Sequence, residues 1–367
     1  MAGGMLGMLM LLSAAALGSH PDAWSRARTK PPGTVLLVKV VDAASSLPLP
    51  NAEVIDLDAS TRRFTNSEGE ARVAWPDRGH LRLRVRQLGF QFEERQVVRP
   101  ADAAAAVDTA TFALSRVAYA LPNVTTSADA KCAGNGDGNA ASRVLAALAL
   151  GQLQMSAERY ETFRKAYPFR IKQKRRTVHF NANGTVHDVR EGAEDETSSE
   201  WGERYRPGHV IERRANGFSV PLLFLSALAD PVFWEHHCFA VRGIESLHDA
   251  RVLRLDFEPA LRVSTVDWMG TAFVDSATSV LQRVEFQLAG LESNDVPRRL
   301  EGYTTFRSPS PFIVIPDSTV AMWWRRDAAA YEAPWNGPDT VQLLELLTVT
   351  YRKGAPPANT NAAPPRR

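Results

Sequence analysis

Between Val35 and Leu114, apolar and polar residues alternate in short runs, and turn residues end each run before a helical period can build. A chain patterned this way buries one side of every run and leaves the other wet. It can do so as a small antiparallel β-sandwich and in few other ways. Val35 to Val41 is the opening strand, and Asp42 begins its exit turn. Pro48 and Pro50 stiffen the connection to a second strand, Ala52 to Leu57. Phe64 and Thr65 are expected to pair with Ala71 to Trp75 as a hairpin through Asn66-Ser67-Glu68-Gly69, with Gly69 free to take positive φ. Leu81, Leu83 and Val85 point one way and Arg82, Arg84 and Arg86 the other. Leu88-Gly89-Phe90 bends the chain between two further strands, and Thr111 to Leu114 closes the set.

The order of these phrases (a strand ending VVD, then PLPNAEV, TNSEGEARV and a strand leading into LGF) resembles the carboxypeptidase-regulatory-like domain. The resemblance covers about a quarter of the chain. It implies a transthyretin/Ig-like sandwich serving as an accessory module rather than a catalyst. Carbohydrate-binding modules share that general shape, so glycan binding enters by resemblance.

At 367 residues the chain is long enough for two cores. Charged residues make up 23% and the formal net charge is +2, too balanced for a dedicated nucleic-acid binder. The basic run Lys172 to Arg176 reads as a solvated strand face. Met1 to Gly18 is small or apolar throughout, short for a membrane span, and ends in Ala16-Leu17-Gly18, which fits the small-x-small cleavage rule. No Lys or Arg precedes the apolar run; a start placed too far downstream would account for that. The segment is read as a secretory signal, so an exported protein, periplasmic or outer-membrane associated, without an integral span after cleavage is expected.

Residues 19–33 form a flexible lead-in, 34–126 the sandwich and 127–139 a linker; 140–352 form a mainly antiparallel β domain opened by a helix, and 353–367 a disordered tail. Tyr119 to Thr126 can add a strand to the sandwich. Ala140 to Leu150 is helical by propensity, with Asn139 as its cap, and Gly151 weakens its continuation. Ser156 to Lys165 is either a second helix or the lead into a strand from Tyr167 to Phe180. Asn181-Ala182-Asn183-Gly184 turns the chain back along Thr185 to Val189, and Glu191 to Glu200 reads as an acidic surface loop without calcium-loop spacing.

Later strands are expected at Gly208 to Arg213, Val232 to Phe239, Arg251 to Phe257, Val266 to Val274, Val280 to Leu288, Phe312 to Ile315, Thr319 to Trp324 and Val341 to Tyr351. Leu222 to Leu228 reads as a short buried helix, and a turn opens at Asp230-Pro231. Short connections favour an antiparallel meander, a curved sheet closed on one side by helix. The phrases DPVFWEHHCF, LRLDFEP and DWMGTAFVDSATSVLQRVEF resemble the second half of uncharacterised secreted bacterial proteins that begin with the same module. In general shape this half is also similar to the half-barrel proteins that carry lipoproteins across the periplasm.

The chain holds two cysteines, Cys132 in the linker and Cys238 before Phe239. In an exported chain a disulfide between them is expected. Closing a loop of that length contributes about 4–5 kcal/mol in the chain-entropy model.

His209 and Glu212 have the HxxE zinc spacing, but on a strand they diverge, and in metallocarboxypeptidases the accessory module follows the catalytic domain instead of preceding it. Glu235, His236, His237 and Cys238 are consecutive, and consecutive strand residues do not converge on one ion. No GxSxG, Walker loop, GxGxxG or CxxC occurs. Trp268, Trp323 and Trp324 are assigned to core packing rather than to a sugar or lipid platform. These readings imply no catalytic residue, no metal and no cofactor. They imply a non-catalytic envelope protein that binds or scaffolds, with an unidentified partner or a lipid, glycan or peptide ligand. The alternatives are a carbohydrate-binding protein and a hydrolase with its site on the second domain. A fragment related to outer-membrane receptors ranks last, because the chain is short for a large barrel.

Overall fold

The computed structural model describes residues 35–99, 107–118, 140–198, 205–214, 217–220, 223–260, 265–292, 297–324 and 335–352. The expected signal, lead-in, extra strand at Tyr119 to Thr126, linker with Cys132 and tail lie outside the described residues. The architecture is mainly β, built on large antiparallel sheets that form no closed barrel among the described residues.

Seven strands make the sandwich: β1 (Val35–Asp42), β2 (Glu53–Asp56), β3 (Thr61–Phe64), β4 (Glu70–Ala74), β5 (His80–Arg86), β6 (Glu93–Val98) and β7 (Val107–Leu114). One sheet runs β4-β1-β7 and the other β3-β2-β5-β6. Leu36, Val38, Val40, Val54, Trp75, Leu81, Leu83, Val85, Phe112 and Leu114 fill the space between them. Two expectations need correction. β7 runs parallel to β1, so the sandwich is not wholly antiparallel. Phe64 and Ala71 do not belong to one hairpin, because β3 pairs with β2 while β4 pairs with β1. The turn between them crosses from sheet to sheet, held by Asn66 Oδ1, which accepts the Glu70 N–H at 2.8 Å. Gly69 has φ +72°, and a Cβ there would lie 2.6 Å from the Val40 carbonyl oxygen.

A single 27-residue helix, α1 (Ala140–Ala166), follows; it runs through Gly151, expected to weaken it, and takes in Ser156 to Lys165, for which helix and lead-in strand were both open. A glycine costs about 1 kcal/mol in a helix. Two buried stripes at helical spacing outweigh it: Leu145, Ala149 and Leu153 face the large sheet, while Gln152, Ser156, Arg159 and Phe163 lie toward the sandwich.

The large sheet contains β8 (Phe169–Phe180), β9 (Val186–Glu191), β10 (Asp195–Ser198), β13 (His237–Leu247), β14 (Ala250–Pro259), β15 (Asp267–Asp275), β16 (Leu281–Ala289), β17 (Arg299–Ser310), β18 (Ile313–Trp324) and β19 (Thr340–Tyr351). Its order is β10-β8-β19-β18-β17-β16-β15-β14-β13, with β9 also on β8. The pairings from β13 through β19 follow chain order, as the meander requires, and β19 returns beside β8. A separate hairpin pairs β11 (Glu212–Arg214) with β12 (Gly217–Ser219), so the strand expected at Gly208 to Arg213 is a turn followed by a shorter strand. Ile313 to Ile315 and Thr319 to Trp324 are parts of one strand, with a register shift between Pro316 and Ser318, and Phe312 lies in the turn before it. Two short helices, α2 (Leu225–Leu228) and α3 (Pro231–His236), sit beside α1 and β13. Asp230 caps α3 by accepting the Val232 N–H, with Pro231 at the first helical position. The segment Val232 to Phe239 is therefore a helix that turns into a strand at His237, not one strand.

Three kinds of contact fix the sandwich to α1. Gln152 accepts the Gly89 N–H at 2.9 Å and donates to the Phe90 carbonyl at 3.3 Å. Arg86 bridges Glu53 at 2.6 Å and Glu158 at 2.7 Å. The Phe64 ring meets Phe163 and Phe312, which stack on each other at 3.8 Å.

Candidate functional site

One row of paired residues crosses nine strands of the large sheet: Phe239, Phe257, Gly270, Phe286, Gly302, Ala321, Gln342, Thr177 and Arg190. Paired residues share a face, and Phe257 and Phe286 place this face against the core that holds α1. Gly270 and Gly302 flank Phe286. A Cβ at Gly270 would lie 1.9 Å from the Glu285 carbonyl oxygen and one at Gly302 2.0 Å from that of Val320. Glycines at such points mark close backbone approach where a sheet bends.

The chemistry of this face changes at β19. From β13 to β18 it is apolar and covered. On β19, β8 and β9 it becomes a hydrogen-bonding floor. Trp323 pairs with Thr340, Thr340 with His179 and His179 with Asp188. His179 Nδ1 lies 3.0 Å from Thr340 Oγ1, and Arg190 Nε donates to Asp188 at 2.6 Å. The Arg190 guanidinium holds the Asp188 carboxyl below the usual carboxylate range, with help from His179. Gln342, Thr177, His179 and Asp188 are half-buried and Arg190 is exposed.

The basic run on β8 is neutralised by the segment expected to be an acidic loop. β10 pairs along Arg170 to Gln173. Lys172 contacts Glu194, Lys174 lies 2.9 Å and Arg176 3.4 Å from Glu191, and Arg170 lies 3.1 Å from Glu196. Neither run is left to attract a polyanion or a divalent ion by itself.

The residues weighed for metal do not converge. His209 is exposed in the turn before β11. His236 ends α3 with Nδ1 on the Val232 carbonyl at 2.8 Å, and His237 is buried with Nδ1 at 2.9 Å from the Phe233 carbonyl and Nε2 at 2.9 Å from that of Trp268. Among the described residues no group of three or more His, Cys, Asp or Glu side chains is placed to hold a metal ion. Burial holds the His237 imidazole below its ordinary value, against the opposing pull of Asp267 and the two carbonyls. Trp268 is core and Trp323 packs partly buried against it, as expected. Trp324 is half-buried, with Arg299 over its ring at 4.5 Å. Sequence reasoning missed the floor on β19, β8 and β9, because its polar residues read as an ordinary wet strand face.

No family model and no curated protein matches the chain. Among solved structures the chain is similar to a DUF1329 family protein of Desulfovibrio piger, at 10% identity and TM-score 0.29, over 56% of this chain and 95% of that one. It is also similar to a protein domain of Vibrio parahaemolyticus named for outer membrane lipoprotein sorting, at 11% identity and TM-score 0.29, over 56% and 93%. A LolA superfamily protein of Nitrosomonas europaea matches at 12% identity and TM-score 0.26, over 55% and 94%.

Proposed function

We propose that the chain is a non-catalytic binding protein of the bacterial envelope, and that its ligand lies on the floor formed by β19, β8 and β9. The observation behind this reading is the change along the nine-residue row, in which the apolar part of the face is already filled by α1 and the core, leaving Gln342, Thr177, His179, Asp188 and Arg190 toward solvent. Such a floor suits a polar ligand such as a glycan better than an acyl chain, which gains nothing from displacing water off hydrogen-bonding groups. The sandwich, in keeping with its resemblance to regulatory-like modules, serves as an accessory body held rigidly on α1.

A Cys132–Cys238 disulfide is part of the same proposal. Cys238 lies on β13 and no free cysteine occurs among the described residues. Mass measurement with and without reduction before alkylation tests it; two alkylatable thiols in the unreduced chain would contradict it. Binding is tested by screening the purified chain on glycan arrays and against lipid vesicles, with Gln342→Ala and Thr177→Ala as controls. Glycan binding lost in both variants supports the proposal. Binding to neither class, or binding unchanged by both variants, contradicts it.

A further inference from the structure

β9 and β10 lie end to end along the same edge of β8, and among the described residues β9 pairs with no other strand. Every β9 residue but Asp188 is exposed, Val186 at 55% and Val189 at 41%. The phase of the ladder fixes where the β9 backbone points. Gly192 donates its N–H to the Arg175 carbonyl at 2.7 Å, and Glu191, Arg190, Val189 and Asp188 then pair in turn with Arg176, Thr177, Val178 and His179. Bonded and unbonded pairs alternate along an antiparallel ladder. Arg190 and Asp188 therefore turn their amide groups to β8, while Glu191 and Val189 turn theirs to the open edge. The side chains divide as well. Asp188 and Arg190 lie on the face of the proposed binding floor, and Val189 lies on the opposite face, at the end of an apolar row with Val178, Val341 and Met322.

An open strand edge is a template for another strand, and charged side chains ordinarily keep other chains off it. On β9 their order does the reverse. A two-fold axis that lays a second β9 antiparallel beside the first must pass through a residue, because only then do paired residues share a face. An axis at Asp188 sets Asp188 against Asp188, one at Arg190 sets Arg190 against Arg190, and one at His187 leaves Asp188 against Val186. An axis at Val189 sets Val189 against Val189 and the Asp188 of each copy against Arg190 of the other. This register alone opposes unlike charges, and does so twice, which favours a cross-strand pair. It also brings the outward N–H of each Val189 to the outward carbonyl of the other and joins the two apolar rows end to end.

We infer that β9 is a self-complementary edge, and that two copies of the chain associate by antiparallel pairing of β9 centred on Val189, merging their large sheets into one. A second copy fits this edge because the order of charges on the strand is its own complement. The pairing needs no ligand and stands independently of the proposed binding floor.

Sedimentation of the full chain over a wide range of concentration tests this. The native chain is expected to pass from one chain mass to two. Val189→Pro removes an N–H turned away from β8, and is expected to keep its circular dichroism and to stay monomeric. Asp188→Arg and Arg190→Asp each set like charges across the axis and are expected to be monomers alone. Mixed in equal amounts, they oppose unlike charges at both positions and are expected to form a heterodimer, a gain that damage to the fold cannot give. A native chain that stays monomeric at every concentration would overturn the inference. So would a dimer that persists in Val189→Pro, or charge variants that do not associate when mixed.

Discussion

Arg159 of α1 donates from Nη2 to the Gln87 amide oxygen of the sandwich at 2.8 Å, and the same nitrogen reaches the carbonyls of Asn51 and Arg86 at 3.3 and 3.4 Å. Its guanidinium is enclosed, and burial pushes its pKa down to about 10, which leaves it charged at neutral pH. Replacing it with alanine removes packing and leaves these acceptors unserved. The expected cost for Arg159→Ala is about 2–4 kcal/mol. Arg159→Met, which keeps an apolar stem, is expected to cost less. Urea unfolding followed by tryptophan fluorescence checks both; an unchanged midpoint in the alanine variant would remove the case for a fixed sandwich.

Gly151 lies inside α1, and a Cβ there meets nothing within 4 Å. The helix thus carries glycine's entropic cost without a steric need for it. Gly151→Ala is expected to stabilise the chain by about 0.5–1 kcal/mol, read as a higher denaturation midpoint at unchanged slope.

The same substitution at Gly302 is expected to act in the opposite sense. Its Cβ would fall 2.0 Å from the Val320 carbonyl oxygen on the neighbouring strand, where no side chain can swing aside. Gly302→Ala is expected to cost about 3 kcal/mol or to prevent folding. Gly270→Ala, whose Cβ would lie 1.9 Å from the Glu285 carbonyl oxygen, is expected to behave alike. Soluble expression and thermal unfolding beside Gly151→Ala separate the two kinds of glycine.

Acid is expected to destabilise the fold through particular carboxylates. Asp42 is held below its ordinary range by the Ala44 N–H and Arg116, Glu94 by Arg84 and Arg82, Asp188 by Arg190 and Glu191 by Lys174. A depressed carboxylate binds its proton less readily in the folded chain than in the unfolded one. Its contribution is therefore present above the unfolded value near 4 and is lost as the pH falls through the lower folded value. Melting temperature against pH at low and high salt checks this, with a fall beginning near pH 4 and a smaller span at high salt.

Much of the fold is legible in the sequence where burial is one-sided. The Leu81, Leu83, Val85 alternation and the bends at Gly69, Gly89 and Gly184 are found as expected. β17 was invisible because its inward positions include Gly302 and Thr304, which carry no hydrophobic signal, while Tyr303 faces the other way. β10 was invisible because its sequence is acidic; its strand form rests on the edge of β8 and the cations there. The path of the chain between two sheets at Asn66 depends on partners far away in sequence, which a local turn signal does not name. The proposed binding floor is legible only in register, since Gln342, Thr177 and Arg190 come together from three strands.

The measurement that bears most directly on the proposed binding floor is a hydrogen-exchange footprint of the full chain with a bound glycan from the array screen and, separately, with lipid vesicles. Protection confined to residues 175–179, 188–190 and 340–344 with the glycan, and absent there with lipid, is the predicted result. Protection of those strands by lipid alone, or a glycan footprint elsewhere on the sheet or on the sandwich, would contradict it.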